Sequence, residues 1–167
     1  MMRTLLIIIF LANLLLTVVS LLVLPPEVAI HFGKGGMPDS WASKEFNALM
    51  FLGIDIFLFI VFLAAPSLSL GLSPKWLSLP NKSYWLKEEN RAMVQKKLAP
   101  LMTEFGIAFF TFLFFVGLLT LEANLADPVR LHESIFFLIF IAFMLYTGYW
   151  CVTLVRVFRI PKNNTGA

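Results

Sequence analysis

Residues 29–46 read AIHFGKGGMPDSWASKEF, a polar and turn-rich stretch that separates two long apolar runs. Its glycines and proline are typical of tight turns, whereas the two flanking runs hold a single charged residue, Asp55. A polar stretch between two hydrocarbon-like runs fits a loop that joins two membrane-spanning helices. The stretch therefore predicts a pair of spans connected by a structured loop outside the lipid.

The composition of the whole chain agrees with a membrane protein. Of 167 residues, 59% are hydrophobic and 14% charged, whereas about 25% of residues are charged in a typical soluble domain. The 13 basic residues bunch between the apolar runs, which indicates membrane orientation and excludes a nucleic-acid-binding surface. The single cysteine, Cys151, excludes an internal disulfide.

Four apolar runs have the length of membrane spans. About 20 residues at roughly 1.5 Å each cross a hydrocarbon core of about 30 Å, and lipid requires each span to satisfy its own backbone as a helix. The first run is too long for a signal peptide, and we expect it to be retained and to end before Pro25. We predict an all-α membrane protein with one domain over residues 1–167. Its four transmembrane helices extend from about Thr4 to Leu24, Phe46 to Leu70, Leu101 to Leu121 and Ser134 to Val155.

The basic residues predict how the chain crosses the membrane. The two termini and the 71–100 connection carry ten of them, whereas the other two connections carry only Lys34, Lys44 and Arg130. Since basic residues accumulate on the cytoplasmic side, we expect both termini to be cytoplasmic and the loops 25–45 and 122–133 to face outward. Residues 86–98, LKEENRAMVQKKL, predict a short amphipathic helix on the inner surface that leads through Pro100 into the third span.

Two motifs resemble a known family. LPPEVAIHFGKGGMPDSWASK at 24–44 and PNKSYWLKEENR at 80–91 are similar to a bacterial membrane domain of unknown function that opens the sporulation-delay immunity (SdpI-like) proteins. The sequence departs from the family pattern at Ala29, where a proline is expected. The resemblance implies a multi-pass protein of the bacterial cytoplasmic membrane, protection against a secreted toxin and binding of a membrane regulator. Its matching positions are Leu24, Pro25, Ile30, His31, Phe32, Gly36, Asp39, Ser43 and Lys44.

The outward loops hold the first candidate site. The predicted contact residues for an external ligand or protein are His31, Phe32, Gly36, Asp39, Trp41 and Lys44. If the two outward loops meet, His31, Asp39, His132 and Glu133 could bind Zn²⁺ or Cu²⁺, which imidazole and carboxylate ligands suit. The alternative is that the glycines form turns and the His31 and Asp39 side chains hydrogen-bond the loop backbone.

Asp55 marks the second candidate site, inside the second span. A carboxylate at such a depth costs about 2.5–3.5 kcal/mol on insertion scales, so we expect it to face a polar stripe on the first span. The stripe is spaced i, i+4, i+7 along one helix face. One interpretation is a proton or ligand site; the other is hydrogen bonding between helices, worth about 0.6 kcal/mol per bond. The partners are Asn13, Thr17 and Ser20, with Tyr146 or Thr147 of the fourth span.

The cytoplasmic block offers a third site, with Tyr84, Trp85 and Arg91 as docking residues for a partner protein or, alternatively, as interface anchors beside Trp76. The sequence carries no phosphate loop, nucleophile elbow or zinc-protease helix. We therefore expect a non-catalytic membrane protein that binds, senses or confers immunity through the loop 25–45. The alternatives are an accessory subunit of a larger membrane complex or homo-oligomer, and a metal-binding or proton-handling protein. No cofactor other than such a metal is expected.

Overall fold

The structure, a computed structural model, describes residues 1–71 and 79–161. Within these ranges the chain forms five α-helices and one β-hairpin. The predicted interface position of Trp76 lies outside the described residues. The elements are α1 (Met2–Val23), β1 (Glu27–Phe32), a 3-10 turn (Lys34–Gly36), β2 (Pro38–Ser43), α2 (Lys44–Gly71), α3 (Lys82–Trp85), α4 (Glu88–Leu125) and α5 (Glu133–Val157).

The four predicted spans correspond to α1, α2, α4 and α5. Among the described residues these four helices are long and apolar enough to cross a membrane, which supports a multi-pass membrane protein. The helix α1 ends at Val23, one residue before Leu24, which is already extended, because Pro25 and Pro26 cannot donate a helical hydrogen bond. The position of the first helix end is therefore set by the sequence as predicted.

The third span differs from the prediction. Instead of a separate amphipathic helix over 86–98, α4 begins at Glu88 and continues through Pro100 to Leu125, a length of 38 residues. At about 1.5 Å per residue it is roughly twice as long as the hydrocarbon core is thick. Pro100 removes one helical donor, yet Val94 and Leu98 on the near side of it are buried in a core cluster. Tertiary packing therefore holds the helix together across the proline.

The helix α4 is the centre of the bundle and packs against α1, α2 and α5. Phe10, Phe62 and Phe110 of three different helices form the middle of the core with Leu6. Gly106 allows the close approach, since a Cβ there would lie 3.0 Å from side-chain atoms of both Leu6 and Phe62. The helix α5 lies at the edge of the bundle, and in the described part of the chain none of its residues is buried.

A second cluster closes the bundle at the end where α4 begins, which we call the connector end. Trp85 is only 1% exposed and packs with Val94, Leu98, Leu101 and Phe158. Its Nε1–H donates to the Phe158 carbonyl at 2.7 Å, so the polar edge of the indole is satisfied. Trp85 is therefore a core residue, whereas the sequence analysis expects a docking side chain or, alternatively, an interface anchor.

The opposite end, the hairpin end, carries two strands that the all-α prediction lacks. Strands β1 and β2 pair antiparallel, with Glu27 opposite Ser43 and an irregular register at His31. Gly35 and Gly36 adopt positive φ angles of 76° and 71°, which glycine tolerates at least cost. The turn-rich loop is thus a hairpin, and the backbone N–H of Lys44 at the start of α2 donates to the Pro26 carbonyl at 3.0 Å.

Candidate functional site

The hairpin is fixed to the end of α4 by one buried side chain, that of Asn124. Its Oδ1 accepts a hydrogen bond from the backbone N–H of Ala29 at 2.7 Å. Its Nδ2 donates to the carbonyl of Ala29 at 3.1 Å. Both residues are buried, and the amide matches the two polar groups of one strand residue as a neighbouring strand would. Asn124 therefore positions β1 on the helical bundle.

The tip of the hairpin is held by the segment that leads into α5. The Arg130 Nε donates to the Gly35 carbonyl, and the Glu133 Oε1 accepts from the Gly35 N–H, both at 2.8 Å. The Leu131 N–H donates to the Gly36 carbonyl, also at 2.8 Å. The two loops that were predicted to share one side of the membrane therefore meet through these bonds.

His31 and Asp39 bind each other. The His31 Nδ1 lies 2.5 Å from the Asp39 Oδ1, and their side chains are 69% and 50% exposed. Exposed ion pairs contribute about 0–1 kcal/mol, so this pair orients two side chains at the surface and adds little to folding stability. Their contact replaces the predicted hydrogen bonds from these side chains to the loop backbone.

The four predicted metal ligands have different partners. His31 and Asp39 contact each other, the His132 Nε2 lies 3.6 Å from the Glu122 Oε1, and the Glu133 Oε1 accepts from the Gly35 N–H. In the described ranges no group of three or more His, Cys, Asp or Glu residues is close enough to hold a metal ion. The structure thus brings the two loops together without assembling the four predicted ligands into one set.

The six predicted contact residues of the hairpin divide into two kinds. Gly36 and Lys44 are structural: the Lys44 Nζ donates to the Leu24 carbonyl at 3.1 Å, and Gly36 is buried against Leu131. The others are accessible, and Trp41 is 46% exposed. Phe32 is half-buried at a groove of about 300 Å³ between the hairpin and helices α4 and α5.

The Asp55 side chain lies in a small cavity between α1, α2 and α4. Asp55 is 2% exposed, and the cavity of about 30 Å³ has room for one or two water-sized molecules, since one needs roughly 10–15 Å³. The predicted stripe of α1 lines it, but Tyr146 and Thr147 do not: the Thr147 hydroxyl donates to the Phe143 carbonyl within α5. The lining also includes three polar residues that sequence reasoning missed, Asn47, Thr120 and Asn124.

A sequence signal for two of the missed residues exists. Thr120 and Asn124 are spaced i, i+4, which places them on one face of α4. They lie where the third apolar run gives way to a polar segment, and polar residues are common at such helix ends, so the spacing alone does not indicate a site. Only the packing of α4 between α1 and α2 shows that this face meets Asp55.

The segment 79–98 packs against the helical bundle at the connector end. The Tyr84 ring contacts Trp85 edge-on at 5.1 Å, and the Lys97 Nζ lies 4.9 Å above the Trp85 ring while donating to the Val157 carbonyl at 3.1 Å. Tyr84 and Arg91 are half-buried. The predicted docking residues are therefore packed against the protein's own helices.

Comparison with known proteins adds one match. No curated protein and no solved structure matches the chain. The SdpI-like association expected from the sequence stays a prediction, whereas the expected resemblance to a domain of unknown function is confirmed. Residues 8–54, which include most of α1, the hairpin and the first part of α2 up to the Asp55 region, match the family described as Domain of unknown function (DUF1648).

Proposed function

We propose that this is a non-catalytic protein of the bacterial cytoplasmic membrane that recognises a protein or peptide on the outer face with its hairpin. In this orientation both termini and the connector end are cytoplasmic. The ten basic residues at the termini and in the 71–100 connection, against three at the hairpin end, support it. A secreted toxin is one such partner, in keeping with the resemblance of residues 24–44 to immunity proteins.

The observation that carries the proposal is a rigidly held backbone with an exposed side-chain surface. Asn124, Arg130 and Glu133 bond the hairpin backbone to the bundle, so binding would order few additional groups and lose little entropy. The exposed side chains include Trp41 and the His31–Asp39 pair. Tryptophan is among the residues that contribute most to protein interfaces.

Orientation is tested by labelling single cysteines. In a Cys151→Ser background, Lys34→Cys places a thiol at the hairpin and Lys87→Cys places one at the connector end; both lysines are exposed. A membrane-impermeant maleimide should label the first variant in intact cells and the second only after permeabilisation. The reverse pattern would place the hairpin in the cytoplasm and refute external recognition.

Recognition is tested by photo-crosslinking in the native membrane. A photoreactive amino acid at Trp41 should give a discrete adduct, and the Asp39→Ala exchange should weaken it because the His31 side chain loses its partner. The same amino acid at Met93, which is about as exposed at the connector end, is the matched control and should give no such adduct. Adducts of equal yield at both positions would contradict recognition by the hairpin.

A second candidate, an accessory subunit, is favoured by the position of α5. Within the described chain α5 packs mainly on α4 and presents an apolar face, with Leu145 71% exposed. A discrete adduct from Leu145 and none from Trp41 would favour the subunit, because a helix that faces lipid alone has no fixed protein neighbour. The single crosslinking experiment therefore separates the two candidates.

A further inference from the structure

We propose that the Asp55 cavity is a binding site for one monovalent cation, with Na⁺ as the ion that fits it. This inference concerns the interior of the bundle and does not rest on what the hairpin recognises. The cavity lies among α1, α2 and α4, and Asp55 is the one charged residue among the described side chains that line it. In the described part of the chain, the buried Asp55 Oδ1 has no hydrogen-bond partner.

Two of the polar side chains that line the cavity already use their donors elsewhere. Both donated bonds of the Asn13 amide go to backbone, to the Ile9 carbonyl at 2.9 Å and the Phe110 carbonyl at 3.0 Å. The Thr120 hydroxyl donates to carbonyls of its own helix, the nearest being that of Val116 at 2.9 Å. What these side chains have left for the cavity is oxygen lone pairs, because an amide oxygen and a hydroxyl oxygen both accept.

The Asn124 amide is committed in the same way. Its Nδ2 donates to the carbonyls of Ala29 and Thr120, and its Oδ1 accepts from Ala29. It closes the hairpin end of the cavity without offering a donor to Asp55. The Asp55 Oδ1 thus has no hydrogen-bond partner and lies at a cavity lined by side chains that carry oxygen atoms, an arrangement that suits a cation, since hard cations prefer oxygen ligands.

Charge and volume select a monovalent ion. One carboxylate and one Na⁺ are neutral together, whereas a divalent ion would leave an uncompensated charge in a low-dielectric region, which is costly. The space of about 30 Å³ admits a small ion, and three residues of α1 that carry side-chain oxygens, Asn13, Thr17 and Ser20, line it. A proton on Asp55 would cancel the same charge and leave the space to water, so the dependence of stability on sodium or on pH distinguishes the two.

The proposal is tested by binding of radioactive Na⁺ to the full-length protein in detergent, with choline replacing sodium to hold ionic strength constant. Wild-type protein should bind one Na⁺ per chain, and binding should raise the unfolding temperature as sodium increases. The isosteric Asp55→Asn variant should abolish both effects. Glu45→Gln, which removes an exposed carboxylate from the same helix, is the matched control and should bind sodium like wild type.

Thr17→Val gives an independent measurement should Asp55→Asn fail to fold. It replaces a hydroxyl in the cavity by a methyl group of similar size, and we expect the sodium affinity to fall by about tenfold, the equivalent of about 1.4 kcal/mol. Three results would overturn the proposal: no sodium binding by wild type, unchanged binding in Asp55→Asn or Thr17→Val, or tighter binding of Mg²⁺ than of Na⁺. A stability that depends on pH and not on sodium would also overturn the proposal, because it would indicate that Asp55 binds a proton and not a cation.

Discussion

Replacing Asn124 by alanine should loosen the hairpin while leaving the transmembrane core intact. In the structure the amide pairs with both polar backbone groups of Ala29, at 2.7 and 3.1 Å, and Ala29 is 2% exposed. An alanine at position 124 would leave the N–H and the carbonyl of Ala29 buried without partners. The hairpin would then open more readily, because opening allows water to satisfy the two groups.

The size of the effect follows from those two groups. A buried polar group left without a partner costs about 1–3 kcal/mol. The neighbouring Ile30 is exposed, so water can approach the strand, and we take the lower end for each group, about 2 kcal/mol together. Since 1.4 kcal/mol corresponds to a factor of ten, the opening equilibrium of the hairpin should rise roughly 30-fold.

Amide hydrogen exchange followed by mass spectrometry measures this opening directly. Peptides that cover β1 and β2 should exchange faster in Asn124→Ala, whereas peptides from the middle of α4 should be unchanged. The matched control is Asn90→Ala, which also removes a buried asparagine but at the connector end, where Asn90 donates to the Tyr84 carbonyl at 3.0 Å. If hairpin exchange were the same in wild type and Asn124→Ala, Asn124 would not hold β1 in place.

Two further predictions concern a glycine pair and the buried tryptophan. Gly36→Ala should speed hydrogen exchange at the hairpin tip far more than Gly35→Ala. Both variants carry the strain of a positive φ, but only the Gly36 Cβ would collide, 2.0 Å from the Leu131 carbonyl oxygen. Equal hydrogen exchange at the tip in both variants would contradict this. Trp85→Ala should lower the free energy of unfolding by about 3–5 kcal/mol, and Trp85→Phe by only about 1 kcal/mol, since the ring contact with Phe158 is kept. Unfolding in a detergent titration measures both values. An unchanged midpoint in Trp85→Ala would mean that Trp85 is not a core residue.

The helices were predictable because lipid imposes one simple rule. Spans must be long, apolar and helical, and the end of α1 is set by the prolines that follow it, starting at Pro25. The continuation of α4 through Pro100 was not predictable, because a proline favours a break and only the burial of Val94 and Leu98 against Trp85 outweighs it. Local sequence cannot report this packing, because the cluster also includes Phe158, which lies 73 residues from Trp85 in the sequence.

The candidate sites were predictable to a different degree. That His31 and Asp39 lie near each other was expected from the turns between them, but their direct contact was not, because the sequence analysis assigned them to a metal or to the loop backbone. The partnership of Ala29 with Asn124 joins residues 95 positions apart, and nothing near either residue in the sequence indicates it. Thr120 shares a helix face with Asn124, but only the packing of α4 against α1 and α2 places it at the same cavity as Asp55.

Asn124 connects the two candidate sites physically. Both ends of its amide bond to Ala29 of the hairpin, and the same side chain lines the cavity that contains Asp55. The hairpin also runs directly into α2, the helix that carries Asp55. Any partner that moved the hairpin would therefore move a wall of the cavity, and any cation that tightened the cavity would tighten the hairpin's attachment. Because such coupling is reciprocal, occupancy of the cavity would change the affinity of the hairpin for a partner, and binding of the partner would change the affinity of the cavity for the cation.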